Sequence, residues 1–541
     1  MTLFRPSRIP IIDAGLTGSL VSDYLRGRDD IRPWYSVGPD MDSLRAFRKI
    51  RQSSPADRQT LLKVLKLQYE ALKESGEPIS PKVLQNLEKL GDPKTFTVTT
   101  GHQLQVAGGP LFFTYKILSA IRLAMELDKS EEGYTHVPVL WLASEDHDMQ
   151  EISTFRVKGR DFTWDSGWKG ASGRAPVKGL PELMQEVEEL VSADAYGSEI
   201  SSILRDSYKA DRDLSLSTRI FVNRLFGRFG LIVLDADHRE LKKSAVSVFS
   251  DELLRQSGFR EVAQTVIQQS AYGSPQVEPR PVNLFLLSED DRKRIDPEGD
   301  HFVAAGTDLR FSREEIIRKL QDHPEQFSPN VVLRPLYQES VLPNLAYIGG
   351  PSEVAYWLEL KSLFEYHRIP FPAVLIRNSF LVLNRNASSK ADGFGWQDLQ
   401  LLEDLNAWIR REVLDPASAQ DPLPAALQKL DKIYDALAAD LRTVDPTLEA
   451  SVNSEAQKSR KGLHQLQEKR SRALKRREET VVSRLRQLDD TVRPGGVFQE
   501  RSESLITFYA SFGPSFIDEL LRHCLPVNDS LTVLRELQAT G

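Results

Sequence analysis

Two glycine-rich segments and one acidic cluster hold the residues best suited to chemistry in this chain. Thr100-Gly101-His102-Gln103, with Gly108-Gly109-Pro110 close behind, follows the apolar run Phe96–Thr99. Gly349-Gly350-Pro351-Ser352-Glu353 follows Leu345–Ile348. Each run reads as a buried strand, and each glycine segment opens into a helical pattern, Leu111–Leu127 and Ser352–His367. Such a junction exposes backbone N–H groups at the positive end of a helix dipole, which suits phosphate or carboxylate. Proline at the helix start fits, because its missing N–H would have had no intrahelical partner. The pair predicts one cleft in which Thr100, Gly101, Gly108, Gly109, Gly349, Gly350 and Glu353 surround an anion.

The acidic cluster, Ser144-Glu145-Asp146-His147-Asp148, ends a third apolar run, Val137–Ala143. Carboxylates suit hard cations and histidine titrates near neutrality, so acid/base chemistry and a magnesium site are both open readings. A turn in which an aspartate caps the next helix is the structural alternative. No His-x-x-x-His or cysteine pair supports zinc. His102 and Gln103 are placed to bind phosphate or a polarised carbonyl. Arg334 and Gln338 precede the second loop, and Arg377 follows a further apolar run, Ala373–Ile376; bidentate arginine suits an anion. Lys116 and Arg122 read as a solvated helix face, Tyr356 and Trp357 as core, and the single cysteine, Cys524, as buried.

Positioning these residues takes an open parallel sheet. Apolar runs, including Leu231–Leu234 and Leu284–Leu287, alternate with helical stretches such as Leu214–Arg228, which predicts an α/β, Rossmann-like doubly wound core. Ligands of such sheets bind beyond the carboxyl ends of the strands, where all the residues above fall. Phe155–Trp164 reads as an inserted hairpin. Residues 1–94 read as a helical segment on the core, 95–394 as the core itself, and 493–541 as a helical return. Between them, residues 395–492 read as an α-helical coiled-coil arm. Leu430, Ile433, Leu437, Leu441, Val444 and Leu448 form an apolar seam, Asp445-Pro446 a turn, and Leu474, Val481 and Leu488 recur at heptad intervals.

Of the 541 residues, 40% are hydrophobic and 27% charged, as in soluble globular proteins. A net charge of −7 argues against a general nucleic-acid binder, and the basic run Lys469–Arg477 is better read as a solvated helix face. One cysteine excludes an intrachain disulfide, and no apolar run is long enough to span a bilayer. These features predict a cytoplasmic protein. Neither Gly-x-x-x-x-Gly-Lys-Ser/Thr nor a strand-end Gly-x-Gly-x-x-Gly is present.

In order and spacing, TGHQLQVAGGP, VPVLWLASEDHD, SPNVVLRPLYQE, YIGGPSEVAYW and PGGVFQER resemble the bacillithiol biosynthesis cysteine-adding enzyme family over essentially the whole chain. Gln103, Asp146, His147 and Asp148 match the family pattern. His102 stands where glutamine is usual, and Ser144 where glycine is common. The resemblance implies a Rossmann-like core, a coiled-coil homodimer, and binding of ATP or ADP with magnesium but no tightly bound metal. The implied reaction joins cysteine to glucosaminyl malate by an amide bond through an activated carboxyl. Catalytic roles would fall to Asp146, His147, Asp148, Gln103 and His102, and Pro494, Gly495, Gly496, Gln499 and Arg501 would form a second nucleotide site. Rival readings are an adenylating enzyme with another acceptor and a non-catalytic coiled-coil scaffold.

Overall fold

The computed structural model describes residues 3–54, 56–129, 133–409 and 423–537, with the side chains of 471, 474, 475 and 477 outside the description. Pro55 and the Leu474 side chain therefore lie outside the described residues. The chain divides into two compact units, residues 1–382 with 497–541, and residues 383–496. The expected boundaries at 394/395 and 492/493 move to 382/383 and 496/497.

The first unit is built on five parallel strands: β2 (Thr95–His102), β3 (Thr135–Leu142), β6 (Ile232–Asp235), β12 (Asn344–Gly349) and β13 (Ala373–Ile376), in the order β13-β12-β2-β3-β6. Val, Ile and Leu dominate β3, β6 and β13, and in β2 Thr97, Thr99 and Thr100 spend their hydroxyls on Asn344 and Ile348, so both faces can be buried. Val139, Trp141, Leu234, Tyr347 and Val374 belong to one core cluster, whereas Val98, Leu140, Leu142, Ile348 and Leu375 pack among others. Chain order along the sheet reverses between β2 and β12, and at such a switch point an open sheet forms its crevice. Gly101 of β2 lies opposite Trp141 of β3, and Thr100 opposite Ile348 of β12, so the strand ends that bear the candidate residues are level.

Three sequence readings change. Leu284–Leu287 (β7) is not in the parallel sheet; it sits in an antiparallel sheet with β8 (Arg292–Glu298), β9 (His301–Ala304), β10 (Arg310–Ser312) and β11 (Phe327–Pro329), in the order β10-β9-β8-β7-β11. The N-terminal segment is not wholly helical, because β1 (Phe4–Pro10) pairs antiparallel with β15 (Ser530–Glu536), beside β14 (Ser379–Leu383). The C-terminal segment therefore ends in a strand. β4 (Thr154–Val157) and β5 (Arg160–Thr163) form the expected hairpin.

The second unit contains two long helices, Leu423–Val444 and Leu448–Val492, turning at Asp445-Pro446. They run antiparallel: Tyr434 meets Ser459 at 2.8 Å and Asp431 meets Arg460 at 2.8 Å. Ala438, Val452 and Ala456 are buried, but Ile433, Leu437 and Val444 of the expected seam are exposed.

Candidate active site

A cleft of about 440 Å³ opens at the switch point, lined by residues from the ends of β2, β3, β12 and β13 and from the antiparallel sheet. Of the expected residues, Gly101, His102, Gln103, Asp146, Arg334, Gly350, Glu353, Arg377 and Arg501 line it. Lys116, Glu145, Glu151, Phe285, Arg292 and Tyr356 join them.

One wall is organised around Asp146. Gln103 donates to its Oδ2 (2.7 Å), the His147 backbone N–H to its Oδ1 (2.8 Å), and Arg292 approaches Oδ1 at 3.3 Å. Burial alone would raise this carboxyl. The bonds from His147 and Gln103 and the Arg292 charge outweigh it and hold the group well below the carboxylate range. Arg292 is fixed in turn, donating to Ser328 Oγ and Pro329 O and lying over the Phe285 ring at 3.9 Å. Its Nη1 also donates to His147 Nδ1 (3.1 Å). His147 itself is exposed and outside the cleft lining. Asp148 is a helix cap that accepts the Glu151 N–H (3.2 Å), so the structural alternative for this residue holds. Among the described residues no group of three or more His, Cys, Asp or Glu is placed to hold a metal ion. The acidic cluster is splayed instead, Asp146 toward Arg292 and Glu145 toward Lys242.

The opposite wall is cationic. Lys116 is buried, not solvated: it donates to Gly101 O and to Glu353 Oε1 (2.8 Å). Burial lowers its pKa against the pull of Glu353. Glu353 also accepts the Tyr347 hydroxyl (3.2 Å) and the Gly350 N–H (2.7 Å), so the second loop already carries a carboxylate of its own. Burial favours protonation of Glu353, but the Lys116 charge and the hydrogen bonds from Lys116 and the Gly350 N–H prevail and lower it. His102, half-buried against Phe112 and Phe113, is pulled down to about 3 by burial and the Lys116 charge. It is a neutral ring near pH 7, not a proton acceptor.

Arg334, half-buried, differs from the buried cleft cations Lys116, Arg292 and Arg377, each of which is in an ion pair. It donates to Gln338 Oε1 (3.0 Å) and Tyr356 OH (3.0 Å) but makes no ion pair among the described residues. Gln338 is fully buried and orients it without lining the cleft. An ideal Cβ on Gly101 would lie 3.1 Å from Arg334 Nη1, so glycine there lets the strand end sit against the guanidinium. Tyr356, read from sequence as core, supplies its hydroxyl to this site, while Trp357 is core, stacked on Tyr347.

Four of the expected anion contacts are otherwise engaged. Gly108 and Gly109 are not an anion loop: their N–H groups donate to Gln105 O and Val106 O, the helix-opening Leu111 N–H donates to Glu503 O, and neither glycine lines the cleft. Thr100 is buried and donates to Ile348 O within the sheet. Gly349 is buried at the end of β12, where a Cβ would meet that of Glu353 at 2.9 Å. Arg377 reaches the cleft already neutralised, bidentate to buried Glu500 at 2.7 and 2.8 Å. The stretch read as a second nucleotide site is also divided. Pro494, Gly495 and Gly496 lie in the second unit, Gln499 spends its amide on Val382 N and O, and Arg501 is an exposed cleft residue with no ion pair among the described residues.

Glu145 was read in sequence as part of the acidic cluster, without a role of its own. It is buried at the end of β3, 2.5 Å from the Lys242 ammonium, which also reaches Asp237 (2.8 Å). Burial, only partly offset by Lys242, pushes its carboxyl up to about 7. Arg292 and Tyr356 had no sequence signal. Lys116 had one, since it interrupts an otherwise apolar helix, Leu111–Lys129.

A Rossmann-like sheet with a cleft of polar and charged groups at its switch point defines the class, an α/β protein with its candidate site at the strand ends. Comparison with known sequences narrows this class. Residues 8–378 match the description "Bacillithiol biosynthesis BshC, N-terminal Rossmann-like domain" and residues 380–536 match "Bacillithiol biosynthesis BshC, C-terminal coiled-coil domain". The chain belongs to the bacillithiol biosynthesis BshC family. Similar proteins named "Putative cysteine ligase BshC" include those of Cytophaga hutchinsonii (36% identical, 94% of this chain and 95% of the relative) and Flavobacterium johnsoniae (34%, 96% and 98%). The protein of that name from Bacillus cereus strain ATCC 14579 is 28% identical over 93% of this chain and 95% of its own. No described helix is long and apolar enough to cross a membrane.

Proposed function

We propose that this protein is a cytoplasmic cysteine ligase that forms an amide bond between the carboxyl of cysteine and the amine of glucosaminyl malate. The observation that carries the reading is Arg334, a cleft cation held by neutral partners and without a carboxylate partner among the described residues. Both substrates are carboxylates, and a guanidinium fork pairs with a carboxylate through two parallel bonds.

A free carboxylate does not acylate an amine, because hydroxide leaves poorly; bound ATP, with magnesium, would supply the activation as an adenylate or acyl phosphate. The lining suits such a ligand. Arg334 and exposed Arg501 would hold its anionic groups, and Ser352 lies beside them at the helix start. The chain's own residues bind and orient. Gln103 and Arg292 keep Asp146 ionised and fixed, and Lys116 does the same for Glu353. Neutral His102 backs the cleft beside Phe112. Self-association through the helical hairpin is supported by Ile433, Leu437 and Val444, which stay exposed at helical spacing.

The test is purified protein with cysteine, glucosaminyl malate and ATP. The expected result is bacillithiol with one nucleotide cleaved per product, from a dimer by light scattering. No product with any nucleoside triphosphate refutes the ligase reading, and a monomer at working concentration refutes the dimer.

A further inference from the structure

Four carboxylates line the cleft, and three are committed. Asp146 accepts bonds from Gln103, His147 and Arg292. Glu353 has both oxygens occupied by Lys116, Tyr347 and Gly350. Glu151 is exposed and accepts from Gln103 (2.8 Å). Glu145 is the exception. Its buried Oε1 lies against the Lys242 ammonium, and no other described residue donates a hydrogen bond to this carboxylate, although the side chain is buried against the cleft.

From this geometry we infer that Glu145 is the general base of the amide-forming step, taking a proton from the ammonium of the amine substrate. The inference rests on the ligase reading above. The ammonium gives one proton to the Glu145 carboxylate, and the freed amine attacks the activated cysteine carbonyl. A C–N bond forms and the C–O bond to the phosphate or nucleotidyl group breaks, its electron pair leaving with that group. The second proton of the attacking nitrogen passes to water.

The surroundings suit an acceptor that works near neutrality. Lys242 divides its charge among Glu145, Asp237 and the Glu325 carbonyl, so it anchors the carboxylate without saturating it. Asp237, held also by Arg174 at 2.7 Å, adds repulsion that favours protonation of Glu145. Arg292 on β8 and Arg174 pull the other way, and Tyr337 packs close as a neutral phenol. A buried acid balanced in this way takes up a proton more readily than the salt-bridged Asp146.

The experiment measures ligation rate against pH, glucosaminyl malate binding by calorimetry, and thermal stability for wild type, Glu145→Gln and Glu145→Asp. Wild-type kcat should rise tenfold per pH unit below about 7 and level off above it. Glu145→Gln should bind glucosaminyl malate within threefold of wild type, melt normally, and lose about 10²–10⁴ in kcat together with the pH-dependent limb. Glu145→Asp should recover part of the rate and the limb. A folded Glu145→Gln protein that keeps its rate, or keeps its limb, overturns the assignment while leaving the ligase reading intact. A wild type that binds glucosaminyl malate but makes no amide overturns both.

Discussion

Arg334→Lys tests the anion site with the least disturbance. Charge is kept; the planar fork is lost. In the native site one Nη donates to Gln338 and the other to Tyr356, and the remaining N–H groups stay available to a ligand carboxylate. A lysine ammonium has three donors on a flexible stem and cannot hold both partners and span two carboxylate oxygens. One charge-assisted hydrogen bond is thereby forfeited, about 1.5–3 kcal/mol. At about 1.4 kcal/mol per factor of ten, that is a rise of roughly 10- to 150-fold in KM for the substrate whose carboxylate it holds. Steady-state kinetics with each substrate varied in turn identifies which one. The variant should melt within a few degrees of wild type, since no ion pair is broken. An unchanged KM for cysteine, glucosaminyl malate and nucleotide alike would refute the idea that this cation meets a ligand.

Other outcomes separate structural residues from binding ones. Gly109→Ala places a Cβ 2.5 Å from Gln105 Oε1 at φ +49°, and should cost about 1–3 kcal/mol in unfolding with KM values unchanged; raised KM at normal stability would restore the anion-loop reading. Glu500→Gln strips the buried Arg377 of its counter-charge and should cost about 3–5 kcal/mol in denaturant unfolding, unless Arg377 is held by a ligand instead. Glu339 is a third case: burial pushes its carboxyl up to about 7 from an ordinary 4.5, against the charge of Arg51. The native state therefore keeps a proton that the unfolded chain releases, and stability is lost as pH rises between those values. Glu339→Gln should match wild type near pH 4.5 and exceed it by about 1–3 kcal/mol at pH 8, read from denaturation midpoints at both.

The parallel sheet was legible because its strands are buried on both faces and read as unbroken apolar runs, Val137–Ala143 most plainly. The same reasoning misplaced Leu284–Leu287. An apolar tetrapeptide does not say whether its neighbours run parallel, and its partner Arg292–Glu298 is too polar to announce itself as a strand. β1 and β15 escaped notice because strand pairing across the chain leaves no local periodicity. At the site, the end of β3 was found from position alone, yet the role of each acid was not. Asp146, Asp148 and Glu145 are neighbours in sequence but face Arg292, a helix N-terminus and Lys242 respectively, and only those distant partners tell them apart. The two glycine loops look alike in sequence and differ for the same reason: Gly350 borders the cleft, whereas Gly108 and Gly109 spend their donors on Gln105 and Val106.

Gln499 has a consequence for how the gene product is assembled from parts. Its side-chain amide imitates a strand neighbour, donating to Val382 O at 2.9 Å and accepting from Val382 N at 2.8 Å, between residues 117 positions apart. The polypeptide thus departs from the α/β body and re-enters it at one stapled point. A body whose exit and re-entry are clasped together needs little to bridge them, so excising 383–496 for a short glycine-serine connector should leave a foldable α/β protein.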